Sequence, residues 1–383
     1  MIRDMETLEA ALSSLDAALL QRLSRAGFDR SRFLELAATL RQGDAAVRRR
    51  TRNTVRGTVE PPRAGEIAPL AAEGSEARER LRARGLEAMR NGELAFASMA
   101  GGMATRMGGI VKALAEVIPG HTFLSMRLSE NRHASELAAR TIPFWIMTSE
   151  ATHETIVDAL AKAGAGAHVA AFMQNLSLRL SPDGSLFRDA AGKPSVYATG
   201  HGDFVDALRR SKLLDTFVDG GGKYVWITNI DNLGASIDPV LLGHFIESEA
   251  TVMCEVTGKD GDRGGIPVHA EGKLQVLEEF RLPPDFDARR VDVFNTNTFL
   301  VRAEPLLRAP LSWTFFEVEK QVDGRTAIQF ERLIQEITAH LPSTFLQVPR
   351  EGALSRFLPV KDFDELGKRR PTIEVVARGR GMV

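Results

Sequence analysis

From about residue 93 onward, short apolar runs alternate with segments of helical periodicity, and this alternation constrains the fold more than any other feature of the chain. It is the pattern of βαβ units, in which strands sit side by side in a sheet and helices cross over its faces. Leu94-Ala-Phe-Ala-Ser98, Phe144-Trp-Ile-Met147, His168-Val-Ala-Ala-Phe172 and Tyr224-Val-Trp-Ile-Thr228 are the predicted strands. Residues 152–163 and 203–214 have helical spacing between them. Asp238-Pro239 opens another helix, with an acid at the N-cap and proline at the first helical position. The strand ending near Asn229 therefore runs through a loop into that helix.

The flanking regions carry different signals. Residues 5–41 place Leu8, Leu12, Leu15 and Leu19, then Phe33, Leu36 and Leu40, at helical spacing with a break near Gly27, which predicts two amphipathic helices. Residues 42–75 hold the basic run Arg48-Arg-Arg-Thr-Arg52 with prolines and glycines, and read as a connection whose charges are solvated. Beyond residue 256, residues 266–277 alternate around Glu271-Gly272-Lys273 as a hairpin, and 293–301 read as a strand. Phe330, Leu333, Ile334 and Ile337 share one face of a helix expected over about 329–340. The expected division is an N-terminal helical extension and connection over 1–75, a catalytic domain over 76–367 and a short tail over 368–383.

Composition excludes several classes of function. A formal charge of −1 removes any global electrostatic case for binding nucleic acid or an anionic membrane, so charge that binds phosphate must be local. The single cysteine, Cys254, cannot form an internal disulfide, which fits a reducing compartment. The charged N-terminus lacks the apolar core of a signal peptide, and no stretch approaches a membrane span of about 20 apolar residues. The expectation is a cytoplasmic protein with small-molecule partners.

Two constellations carry the chemistry. Residues 100–109, Ala-Gly-Gly-Met-Ala-Thr-Arg-Met-Gly-Gly, follow the first strand and precede Lys112. Glycines let backbone N–H groups approach a ligand, and Arg106 and Lys112 are placed to offset phosphate charge, although a glycine-rich surface turn has the same composition. Asn229-Ile-Asp231-Asn-Leu-Gly-Ala235 lies at the C-terminal end of a strand, where the ligand sites of open α/β sheets gather. A carboxylate there suits Mg²⁺, which takes one or two protein carboxylates and fills its other positions with phosphate oxygens. Taken alone, Asp231 reads first as an acid capping a turn.

These runs, in this order, resemble the UDP-sugar pyrophosphorylases, nucleotidyltransferases of the UTP:glucose-1-phosphate uridylyltransferase type. Gly101, Gly102, Thr105, Gly108 and Lys112 fit that family's nucleotide loop. Ala104 replaces its third glycine, and Lys112 stands one residue closer to the glycines than usual. The resemblance implies that Asp231 holds Mg²⁺ and that Asn229 contacts the sugar phosphate. Gly200-His201-Gly202-Asp203 matches a turn beside the uridine and sugar phosphate, and Gln174 falls where an amide reads the uracil edge. Gly265, Glu278 and Asn297 match elements lining the sugar pocket, and Arg356-Phe-Leu-Pro-Val-Lys361 matches a run whose lysine contacts phosphate.

The resemblance spans about residues 90–367 and implies a glycosyltransferase-A-like (Rossmann-like) mixed sheet flanked by helices. It also implies transfer of a uridylyl group from UTP to a sugar 1-phosphate. Glucose 1-phosphate is favoured by the runs at 229–235 and 356–361; another sugar 1-phosphate, or a UDP-sugar-binding relative without catalysis, remains open. Eukaryotic members continue into a C-terminal left-handed β-helix domain, whereas this chain stops at Val383, so an oligomeric state built on that domain does not carry over.

Overall fold

The computed structural model of the protein describes residues 2–104 and 108–383. Among the described residues, eight strands form the central sheet: β1 (Ile67–Pro69), β2 (Leu94–Met99), β3 (Phe144–Thr148), β4 (Val169–Met173), β5 (Tyr224–Asn229), β6 (Val252–Gly258), β7 (Val293–Arg302) and β8 (Ser343–Gln347). Their order is β1-β8-β6-β7-β5-β2-β3-β4. All neighbours run parallel except β7, which is antiparallel to both β5 and β6. This is a mixed α/β sheet of the glycosyltransferase-A-like kind.

The predicted strands form where they do because both sheet faces are covered, which rewards unbroken apolar runs over alternation. On β2, Leu94 and Phe96 enter one core while Ala95, Ala97 and Met99 enter the other. On β5, Tyr224 and Trp226 divide from Val225 and Ile227 in the same way. The first core is closed by helices Glu76–Arg90, Phe123–Ala138, Pro239–Glu247 and Phe363–Gly379. The second is closed by Phe204–Ser211, Leu213–Asp219 and Ala303–Arg308. Asp238 caps Pro239–Glu247, accepting from the Val240 N–H at 2.8 Å. The hairpin expected at 266–277 pairs Ile266–Ala270 with Lys273–Leu277.

Four expectations are corrected. Residues 5–41 make three helices, Ile2–Ser13, Ala17–Arg25 and Arg30–Leu40, because Asp16 and Asp29 each cap a new start. Residues 42–75 are more than a solvated connection. Asp44 caps a helix, Ala45–Asn53, whose Arg48 makes a two-pronged contact of 3.0 Å with the buried carboxylate of Glu317, and β1 joins the central sheet. No single helix spans 329–340. Arg325–Glu331 is a strand paired with Phe316–Val322, and only 334–340 turn helically. Ile328 and Phe330 face the N-terminal helices while Ile334 and Ile337 enter the sheet core, so apolar residues serving two different cores mimicked one helical face.

The fourth correction concerns the tail. Residues 363–379 are one helix that runs on past 367, with Ile373, Val376 and Ala377 buried in the first core. Pro371 lies inside it and hid it in the sequence, since proline within an apolar pattern reads as a helix end. Among the described residues, no helix is long and apolar enough to cross a membrane.

Candidate active site

Strands β2 and β5 run parallel, with Met99 opposite Asn229, so the two loops singled out in the sequence leave the sheet side by side at its carboxyl edge. Lys112 follows the first loop and Asp231 lies in the second, and their charged groups make an ion pair. The partly buried ammonium thus occupies a cation position on the Asp231 carboxylate. A Cβ added to Gly101 would lie 2.3 Å from Gln174 Oε1, which puts the glycine loop against the residue at the end of β4. Residue 104 is in a short strand paired with Ile110, and backbone of that kind accepts an alanine in place of glycine. Gly102 has open space beside it. Thr105 and Arg106 lie outside the described residues.

Antiparallel β7 begins where β5 ends, which carries Asn297 to the same edge. Its Nδ2 donates to Asn229 Oδ1 at 3.1 Å, and its backbone, at φ 59°, is held in the left-handed region by an N–H bond to Asn295 Oδ1. Gly265 and Glu278 meet through a hydrogen bond from the Gly265 N–H to the Glu278 carboxylate, which also accepts from Gln335 Nε2 at 2.5 Å. Burial, then the neighbouring Glu279, pushes the Glu278 carboxyl above its ordinary range.

The turn at 200–203 packs on backbone. A Cβ on Gly200, at φ 96°, would lie 2.5 Å from the Arg332 carbonyl oxygen, and one on Gly202 would lie 2.6 Å from the Leu333 nitrogen. His201 Nδ1 accepts from the Ile334 N–H at 3.1 Å, which leaves Nε2 as the protonated nitrogen of the neutral ring. Burial lowers the His201 pKa to about 4, so the ring is a neutral donor near pH 7. Asp203 is sealed beneath the turn, bonded to Arg332, Thr199 Oγ1 and the Asn175 N–H.

The loop at 229–235 is locked to residues 355–358. Asn232 donates to the Arg356 carbonyl at 3.2 Å and accepts from the Leu358 N–H at 2.8 Å. Gly234 is where the two backbones touch: a Cβ there would lie 2.5 Å from the Arg356 carbonyl carbon. Arg356 is fully enclosed, and Glu255 and the Ser236 carbonyl take its guanidinium. Burial alone would lower its pKa, and Glu255 more than offsets that. The run ends on Lys361, which is exposed just before helix Phe363–Gly379, its ammonium without an ion-pair partner among the described residues.

Sequence reasoning missed Arg127, Arg332, Gln335 and Arg380. Arg127 and Arg380 bind carbonyls of the 229–235 loop, whereas Arg332 and Gln335 support the turn at 200–203 and Glu278. The first two have no local motif. The other two lie in the stretch read as a helix.

Fold and site together define a glycosyltransferase-A-like α/β protein with a polar site at the carboxyl edge of its sheet. The sequence matches the family described as UTP--glucose-1-phosphate uridylyltransferase over residues 51–370, and the chain belongs to that family. The UTP--glucose-1-phosphate uridylyltransferase of Hordeum vulgare is 29% identical over 291 residues, covering 72% of this chain and 61% of the relative. That of Musa acuminata is 30% identical over 291 residues, covering 72% and 62%. The matched region thus spans about three fifths of these relatives' length. A UDP-glucose pyrophosphorylase from Leishmania major in complex with UDP-glucose shares the fold, with a TM-score of 0.68 and 22% identity over 92% of this chain and 79% of that one. The UDP-N-acetylglucosamine pyrophosphorylase of Trypanosoma brucei does so with a TM-score of 0.69 and 20% identity over 91% and 82%.

Proposed function

We propose that this chain transfers the uridylyl group of UTP to glucose 1-phosphate, releasing pyrophosphate and leaving UDP-glucose. The observation that carries the proposal is the Lys112–Asp231 ion pair at the sheet edge, beside the Gly101–Gln174 contact and the Asn229–Asn297 amide pair. A site that joins two polyanions needs positive charge and fixed donors more than a nucleophile of its own.

In the proposed reaction a phosphate oxygen of the sugar 1-phosphate bonds to the α-phosphorus of UTP as the bond to the β-phosphate oxygen breaks. Gln174 offers both donor and acceptor to the uracil edge. Neutral His201 donates through Nε2 to the sugar phosphate, and Asn229 stands with it. Glu278, fixed by Gly265 and Gln335, and Asn297 meet sugar hydroxyls. Lys112 and Lys361 neutralise phosphate charge as it shifts toward the leaving pyrophosphate.

Asp231 is the residue proposed to hold Mg²⁺. Its carboxylate already attracts a cationic group, and no cluster of three or more metal-binding side chains surrounds it among the described residues. That donor set suits an ion that draws its remaining ligands from phosphate and water. When bound, the ion supplies charge neutralisation across the phosphates. We further propose a reducing, cytoplasmic setting, consistent with the buried free thiol of Cys254.

The test is pyrophosphate release from UTP with glucose, galactose and N-acetylglucosamine 1-phosphates, in wild type and Asp231→Ala. Wild type should turn over fastest with glucose 1-phosphate. The variant should lose turnover about 10³-fold while unfolding as cooperatively as wild type. A faster reaction with another sugar would reassign the substrate, and near-normal turnover in Asp231→Ala would remove the metal role.

A further inference from the structure

The loop at 229–235 has no ladder of its own beyond the end of β5; the N–H groups of Asn232, Ala235 and Ser236 meet the carbonyls of Asn229, Asn232 and Gly234, and the carbonyls of Ile230, Leu233 and Ala235 turn to side-chain donors. Two arginines supply those and second bonds to the others. Arg127, fully buried in helix Phe123–Ala138, donates to the carbonyls of Asn229 at 3.2 Å, Ile230 at 3.4 Å, Asn232 at 2.5 Å and Ala235 at 3.2 Å. Glu130 balances its charge at 2.6 Å and accepts from the Ile237 N–H with its other oxygen.

Arg380 arrives from the far end of the chain. One guanidinium nitrogen donates to the Gly234 carbonyl and reaches that of Leu233 at 3.5 Å, and another donates to the Ser355 carbonyl at 2.7 Å. It therefore spans the loop that carries Asp231 and the segment that leads to Lys361. Its own position is fixed: it caps helix Phe363–Gly379, and two residues later the Met382 side chain is fully buried, with its N–H on the Ala377 carbonyl.

Burial, followed by repulsion from Arg356, lowers the Arg380 pKa to about 10, which leaves it charged at neutral pH. It has no carboxylate in ion-pair contact among the described residues. A partly buried cation whose hydrogen bonds go only to carbonyls costs desolvation that an apolar side chain avoids. What the arginine adds is geometry, because one planar group with several donors fixes two strands of backbone at a set separation.

We propose that Arg380 is a positioning residue for the uridylyl transfer, a clasp that sets the Asp231 loop against the segment bearing Lys361. This rests on the reaction proposed above. Arg380 lies beyond the residues, 51–370, that match the family.

The test uses the full chain and compares wild type with Arg380→Met and Arg380→Lys. Backbone hydrogen exchange is followed across 229–236 without ligand, where the Ile230, Asn232 and Ala235 N–H groups are bonded. Steady-state kinetics and thermal melts are measured alongside. Arg380→Met should exchange about tenfold faster in that stretch while exchange in β2 and β3 is unchanged. Its kcat should fall about 10- to 100-fold with KM for UTP within about twofold, as misplacement of aligned groups predicts. Arg380→Lys, which keeps the charge and a single donor nitrogen, should recover part of both effects.

Unchanged exchange and unchanged kcat in Arg380→Met would overturn the proposal. So would exchange that rises equally throughout the chain, since that marks a purely global role. Should Arg380→Met fail to fold, Arg380→Lys carries the same comparison. A wild type that releases no pyrophosphate, together with local loosening in the variant, would defeat the proposed reaction and leave the clasp standing.

Discussion

Gly234→Ala isolates the contact between the Asp231 loop and the 355–358 segment. The added Cβ would lie 2.5 Å from the Arg356 carbonyl carbon, 2.7 Å from the Phe357 nitrogen and 2.9 Å from the Arg356 Cα, all backbone atoms. Ordinary contact begins at 3.4 Å, so the two backbones must part by about 0.9 Å. No flexible side chain is there to yield, and Asn232 and Arg380 both bridge the same two segments. Overpacking of this kind costs about 1–3 kcal/mol. A displacement near 1 Å between groups that must act together costs on the order of 100-fold in rate. The assay pairs urea unfolding with pyrophosphate release under saturating UTP and glucose 1-phosphate. Gly258→Ala is the control, because nothing lies within 4 Å of its Cβ position. Gly234→Ala with an unshifted midpoint and kcat within about twofold of wild type would refute this reasoning.

Three further outcomes are expected. Lys361→Ala should leave the melt unchanged, because the side chain is exposed, and lower kcat about 10- to 100-fold; an effect confined to KM would show uniform binding instead. The folded His201 ring has its pKa near 4 against an ordinary 6.5, so between those values the unfolded chain takes up the proton and the folded one resists it. Stability contributed by His201 is therefore complete above about pH 6.5 and is lost on acidification toward 4, by at most about 1.4 kcal/mol per pH unit; His201→Gln should lack this component in melts across that range. Arg356→Met leaves the Glu255 carboxylate buried and unpaired, which should cost about 3–5 kcal/mol in denaturant unfolding, and Arg356→Met with Glu255→Met should recover most of it.

Much of the sheet was legible because parallel strands covered on both faces need long apolar runs, and β2, β3, β4 and β5 all have them. Asp238-Pro239 announced a helix through local chemistry, and Glu271-Gly272 a tight turn through two residues with positive φ. Residues 329–340 misled because their apolar side chains belong to separate cores, a distinction that periodicity does not contain. The C-terminal helix differs: it carries Pro371, a breaking signal, between buried Leu366 and buried Ile373 and Val376. Asp16, Asp29 and Asp44 were legible caps that the wider helical pattern concealed.

By itself the sequence determined the class of fold and the short polar runs that end at the sheet edge, because strand periodicity and turn chemistry are local properties of adjacent side chains. Only the tertiary structure decided that Lys112 meets Asp231, that Asn297 meets Asn229, and that Arg127 and Arg380 hold the carbonyls between 229 and 235. Those contacts join residues more than 60 positions apart. They exist because the carboxyl ends of parallel β2 and β5 meet the start of antiparallel β7 at one edge, where loop carbonyls take further donors from wherever the chain folds back.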